Sequence, residues 1–155
     1  MLKSVRLNKE IHRTVTAQEM QLFGELTWLL LQSPIHTDYP LSVLNDRFIH
    51  ACHIGQCQLY YDQSGPIGVV TWAKVSKEWH EQMLNDDIWP PTSEWNKGDY
   101  LWFMDFIAPF GHCRQIRREL SKQFGKTDKA WCRRIKTNRK QSHICQHHRG
   151  YLLQH

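Results

Sequence analysis

The chain has 155 residues, 41% of them hydrophobic, with 7 Trp, 5 Cys and a formal net charge of +5. That length holds one hydrophobic core and leaves no room for a second, and the apolar content argues against a disordered chain. The first ten residues are polar and charged and no apolar run reaches the ~18 residues that cross a bilayer, so neither a leader nor a membrane span is expected.

Residues 1–16 show no period and are expected to form a loosely docked arm. A helix is expected from Thr16 to Gln32. Thr16 followed by Glu19 makes a capping box, and Met20, Phe23, Leu26 and Leu30 then recur at helical spacing. Pro34 drives the residue before it out of the helical region, so the helix stops near Gln32 and Ser33–Pro40 becomes a turn holding His36. Leu41–Ala51 reads as a short helix with Leu41, Leu44 and Phe48 facing inward. Cys57–Asp62 and Ile67–Val75 read as a hairpin joined through Asp62-Gln63-Ser64-Gly65-Pro66. A serine-capped helix is expected over Ser76–Asn85, followed by a loop over Trp89–Gly98 that contains Pro90-Pro91.

Gly98–Gly111 is the most apolar run, rich in strand-forming residues. Its alternation is broken at Leu101, Phe103, Phe106 and Ala108, which reads as a central strand buried on both faces. Asp105 lies inside it, and a buried carboxylate requires a partner. Either a catalytic imidazole or an Arg of the basic region would serve. Pro109 and Gly111 end the strand at a turn. A helix is expected over His112–Phe124, a strand over Ala130–Ile135, and a basic tail over residues 137–155. Residues 1–111 hold 8 Lys/Arg and 13 Asp/Glu, whereas residues 112–155 hold 12 and 2. An acidic partner is expected at that end.

The Cys count is odd and irregularly spaced, which suits reduced thiols in a cytoplasmic protein. His50-Ala51-Cys52-His53 with Cys57, and His143–His148, contain metal-ligand residue types but no paired two-residue Cys spacing, so no metal is expected. There is no dinucleotide or P-loop fingerprint.

Two segments carry a resemblance. Asp99–Gly111 resembles the "GD…WF.D.IAPFG" segment of the RTX toxin-activating lysine acyltransferases. Ser33-Pro34-Ile35-His36 with Tyr39-Pro40 resembles that family's "SPLH..WP" segment, with Tyr39 where the family often has Trp; Trp28-Leu29 precedes it at a similar spacing. The resemblance runs from about Gly24 to Ile135. It implies a protein-lysine fatty acyltransferase that takes its acyl group from acyl carrier protein, as a phosphopantetheine thioester, and activates an RTX-type protoxin; no other cofactor is implied. It further implies His36 as general base or transient acyl acceptor, oriented by Asp105, with Ser33 and Gly111 in positioning roles. The family is often dimeric, which implies a homodimer here.

The element order gives an α/β (α+β) fold: one GNAT-like acyltransferase domain over residues 1–155, with a central, mostly antiparallel sheet flanked by helices. Arg114, Arg117, Arg118 and Lys122 share one helix and offer a footing for an acidic carrier protein. His112-Cys113-Arg114-Gln115 lacks the glycines of a coenzyme-A loop, which favours a carrier-bound donor over free acetyl-CoA. Trp102, Phe103 and Phe106 are candidates for an acyl channel. Two other classes remain open on sequence alone: a basic nucleic-acid-binding module, for which interleaved aromatics are few, and a small-molecule GNAT-type acetyltransferase.

Overall fold

The computed structural model describes residues 16–86, 88–125, 129–135 and 142–148. The expected N-terminal arm lies outside them except for Thr16. That residue caps α1 (Ala17–Gln32) through the full reciprocal box with Glu19. Residues 41–53 form one helical stretch rather than a plain short helix. A first turn, α2 (Leu41–Val43), runs into six π-helical residues, Leu44–Ile49, and then α3 (His50–His53). Leu44, Phe48 and Ile49 face the core, but Leu41 does not: it is 79% exposed, on the first residue after Pro40.

The sheet has five strands whose spatial order repeats the chain order. They are β1 (Cys57–Asp62), β2 (Gly65–Val75), β3 (Tyr100–Ile107), β4 (Lys129–Ile135) and β5 (Ser142–His148). All neighbours are antiparallel except β3 and β4. The β1–β2 turn is tighter than expected, since β2 already begins at Gly65. The expected basic tail contains β5, a strand with no apolar alternation that is held by backbone pairing to β4. The serine-capped helix α4 (Lys77–Asn85) and helix α5 (Cys113–Gln123) complete the mixed α/β fold.

One face of the sheet carries α1, the 41–53 stretch and α4. Its core contains Leu26, Leu29, Phe48, Val69 and Ile107, and continues through Ala73, Val75, Met83, Trp95 and Trp102. The other face carries α5, whose Ile116 and Leu120 bury against Val70, Trp72, Leu101 and Phe103. Each of those two aliphatic side chains contributes about 1.5–3 kcal/mol by burial. Gly98 sits where β3 starts, and a Cβ there would overlap the Val75 carbonyl, so this close crossing needs glycine.

Strand β3 is buried on both faces, as its composition predicts, and it also carries a bulge. Thr71 pairs with Asp105 and Trp72 with Phe103, which leaves Met104 as the extra residue. The bulge explains the broken alternation. Leu101 and Phe103 before it and Phe106 and Ala108 after it all belong to the α5-side cluster, one residue out of phase.

Candidate active site

The turn after α1 is built by local chemistry. The Ser33 carbonyl accepts the His36 amide at 2.9 Å and the Thr37 amide at 3.0 Å, closing a turn around Pro34 and Ile35. The Thr37 hydroxyl donates to the same carbonyl at 2.9 Å. With the backbone closed in this way, the Ser33 and His36 side chains meet: Ser33 Oγ lies 2.6 Å from His36 Nδ1. Ser33 is buried. The imidazole also meets the Tyr39 ring edge-on, with centroids 5.0 Å apart.

The Asp105 side chain is only 2% exposed. Its two oxygens are both occupied. Arg47 Nη2 donates to Oδ1 at 2.8 Å, and the Thr71 hydroxyl donates to Oδ2 at 2.7 Å. The bulge makes this possible by turning Asp105 toward the face that carries Thr71 and the 41–53 stretch. A buried carboxylate with two donors meets the requirement set by its desolvation.

His36 and Asp105 line the same cavity, of about 370 Å³. The sequence reading expects a hydrogen bond between them. Among the described residues the carboxylate bonds instead to Arg47 and Thr71, and the imidazole to Ser33. Arg47 has its guanidinium on Asp105 and 6.0 Å from the centroid of Tyr39, the ring that the imidazole meets. The alternative of an Arg from the basic region as partner of Asp105 is corrected too, because Arg47 lies outside that region.

The cavity has its place because β3 and β4 pair only through Trp102–Trp131 and Phe103–Cys132. Beyond those positions the lining comes from both faces of the sheet. His36, Tyr39, Arg47 and Asp105 line it on one side, and Phe103, Phe106, Arg117 and Leu120 on the other. This is the carboxyl end of a parallel pair, where α/β sheets place ligands. Trp89 closes the rim between two guanidiniums, Arg47 at 5.5 Å and Arg133 at 5.6 Å from its ring centroid. Arg133 also donates to the Met83 carbonyl at 2.9 Å.

The other expected site residues separate. Phe103 and Phe106 line the cavity, whereas Trp102 packs among His80, Tyr100 and Trp131 outside it. Of the basic residues on α5, Arg117 reaches the cavity. Arg114, Arg118 and Lys122 are exposed, and Lys122 is paired with Glu119 at 2.8 Å. Gly111 has φ +85°, a conformation that suits glycine in the turn before α5. Arg47, Thr71, Trp89 and Arg133 escape sequence reasoning. The one advance signal for Arg47 is the need of Asp105 for a cation. Among the described residues no group of three or more His, Cys, Asp or Glu gathers to hold a metal, and no helix is long and apolar enough to cross a membrane.

Comparison with known proteins adds the context for this geometry. The family model of the RTX toxin acyltransferases matches residues 15–148. The leukotoxin-activating lysine-acyltransferase LtxC of Aggregatibacter actinomycetemcomitans is 35% identical over 104 residues, covering 67% of this chain and 62% of that protein. The RTX-II toxin-activating lysine-acyltransferase ApxIIC of Actinobacillus pleuropneumoniae is 30% identical over 106 residues, covering 68% and 66%. The protein-lysine myristoyltransferase HlyC of Escherichia coli is 30% identical over 105 residues, covering 68% and 60%. The matched region therefore spans less than two thirds of the length of these relatives.

Proposed function

This chain belongs to the RTX toxin acyltransferase family, and we propose that it transfers a fatty acyl group from acyl carrier protein to lysine side chains of an RTX-type protoxin. The observation that carries this reading is the pairing of His36 with Ser33 in a cavity that also holds the buried Asp105.

A lysine with an ordinary pKa of ~10.4 is an ammonium at neutral pH and cannot attack. In this reading His36 removes the proton. A serine oxygen at Nδ1 fixes the ring, and proton transfer is assigned to Nε2, which requires the tautomer in which Nδ1–H donates to Ser33 Oγ. The amine attacks the thioester carbonyl, the C–N bond forms and the C–S bond breaks. The proton held by His36 then goes to the departing thiolate, and the freed imidazole passes the extra proton on the new C–N nitrogen to solvent, which leaves the neutral amide. Asp105 acts through Arg47: the ion pair holds the guanidinium in the wall beside Tyr39, where it can meet negative charge on the donor or on the tetrahedral intermediate. Phe103, Phe106 and Leu120 supply the apolar lining for an acyl chain. The exposed Arg114 and Arg118 face outward, where an acidic carrier protein would be met.

The test is intact-mass analysis of a candidate protoxin incubated with this protein and acyl-loaded carrier. The expected result is a mass increase of one acyl group per modified lysine, lost with His36→Ala. Acylation by a folded His36→Ala protein at the wild-type rate would overturn the reading.

A further inference from the structure

We propose that Cys132 and Cys145 form a thiol–disulfide pair, oxidised by a low-molecular-weight disulfide, that fastens the edge strand β5 to the wall of the cavity. The two residues are direct register partners in the antiparallel β4–β5 ladder. Directly opposed residues in such a ladder have Cα atoms about 4.5–5.5 Å apart, inside the roughly 4.4–6.8 Å that a disulfide spans. They also project from the same face of the sheet. Both are reduced thiols and only half-buried. Cys132 is at once a cavity-lining residue and part of the cluster under α5, beside Phe103 and Leu120.

The two sulfurs are unequal. Burial first, and then the neighbouring Cys145, push the Cys132 thiol up to about 11. Cys132 therefore keeps its proton at neutral pH, which suits it to the second, resolving step. In the first step Cys145 loses its proton to solvent, attacks one sulfur of the small disulfide and expels the first small thiolate. Cys132 then loses its proton to solvent, attacks the Cys145 sulfur of the mixed disulfide and expels the second. Two protein thiols become one disulfide, and one small disulfide becomes two small thiols. A second thiol contact, Cys52 with Cys57, lies at the start of β1. It joins α3 to β1 and does not reach the cavity lining, so it is the internal comparison.

The experiment incubates the full chain with oxidised glutathione and reads intact mass, the linked peptides and Tm. Wild type is expected to lose two hydrogens, to yield a peptide pair joining Cys132 to Cys145, and to melt several degrees higher. Cys132→Ser is expected to keep one glutathione on Cys145, because no second thiol resolves it. Cys113→Ser is expected to leave the 132–145 link intact. The proposal fails if wild type retains a stable glutathione adduct on Cys145, or if the only link found after exhaustive exposure joins Cys52 to Cys57. Should Cys132→Ser fail to fold, the wild-type peptide map alone decides.

Discussion

Two histidines of this protein are held at the same ring atom in different surroundings. His36 Nδ1 lies 2.6 Å from Ser33 Oγ, at the wall of the cavity. His80 Nδ1 accepts the Trp102 indole N–H at 3.0 Å, on the far side of β3 from α5. Around His80 the ring stacks on Tyr100 at 4.2 Å and meets Trp131 edge-on at 4.5 Å. An indole nitrogen only donates, so the neutral ring of His80 must carry its proton on Nε2. A serine hydroxyl can donate or accept, so the partner of His36 can follow the ring through a change of protonation. On the proposed reading, the difference teaches that a well-oriented imidazole is not by itself a base. It needs a partner that tolerates both charge states and a wall that a substrate can reach.

Four substitutions or conditions break or sharpen that contrast. The largest effect is expected at His36→Ala, which should lower acyl transfer by about 10²–10⁴-fold, the usual worth of a positioned acid–base group. Its Tm should stay close to wild type, because the ring is only half-buried; a rate loss matched by a collapsed melting curve would erase the distinction. Next comes Asp105→Ala. It strands the Arg47 guanidinium and the Thr71 hydroxyl, so it should cost about 3–5 kcal/mol in denaturant unfolding as well as activity. A variant as stable as wild type would show that the pair does not hold the wall.

His80→Ala should show the opposite profile. It removes a buried ring and leaves the Trp102 N–H without its acceptor, which costs about 2–4 kcal/mol. Acyl transfer per folded molecule should be unchanged within about twofold, given the absence of His80 from the cavity lining. The smallest effect is in the pH dependence. Burial holds His80 below the ordinary imidazole range. The unfolded chain therefore takes up this proton first as pH falls. The contribution is fully present above about pH 6.5 and is lost as pH falls through that value toward the lower folded one. Chemical denaturation at stepped pH should show this slope in wild type and its loss in His80→Phe.

The reading of the chain was sound where side-chain pattern drives structure. Thr16 and Glu19, Ser76, and the apolar run of β3 each announce their element through local chemistry. The bulge at Met104 leaves its trace in the slip between Leu101–Phe103 and Phe106–Ala108, which the sequence reading takes only as burial on both faces. Strand β5 was not legible, because Ser142–His148 carries no apolar alternation and owes its place to the backbone edge of β4. At the candidate site, Asp105 stood out as a carboxylate inside an apolar strand, whereas Ser33 and His36 stood out through the resemblance of their segment to the family's motif. Arg47 did not. It sits 58 positions from its carboxylate in a π-helical segment, and no local pattern in a chain of this composition distinguishes it.

If the chain catalyses the proposed acyl transfer, the arginines at the cavity bear on the acceptor as much as on the donor. Arg47, Arg117, Arg133 and Arg134 face into a space where, among the described residues, Asp105 is the one acidic lining residue. A lysine entering as a cation meets like charge in a region of reduced dielectric, whereas the neutral amine meets none. On the proposed reading the guanidiniums therefore favour the nucleophilic form of the incoming nitrogen, and the lining would share the cost of deprotonation with His36.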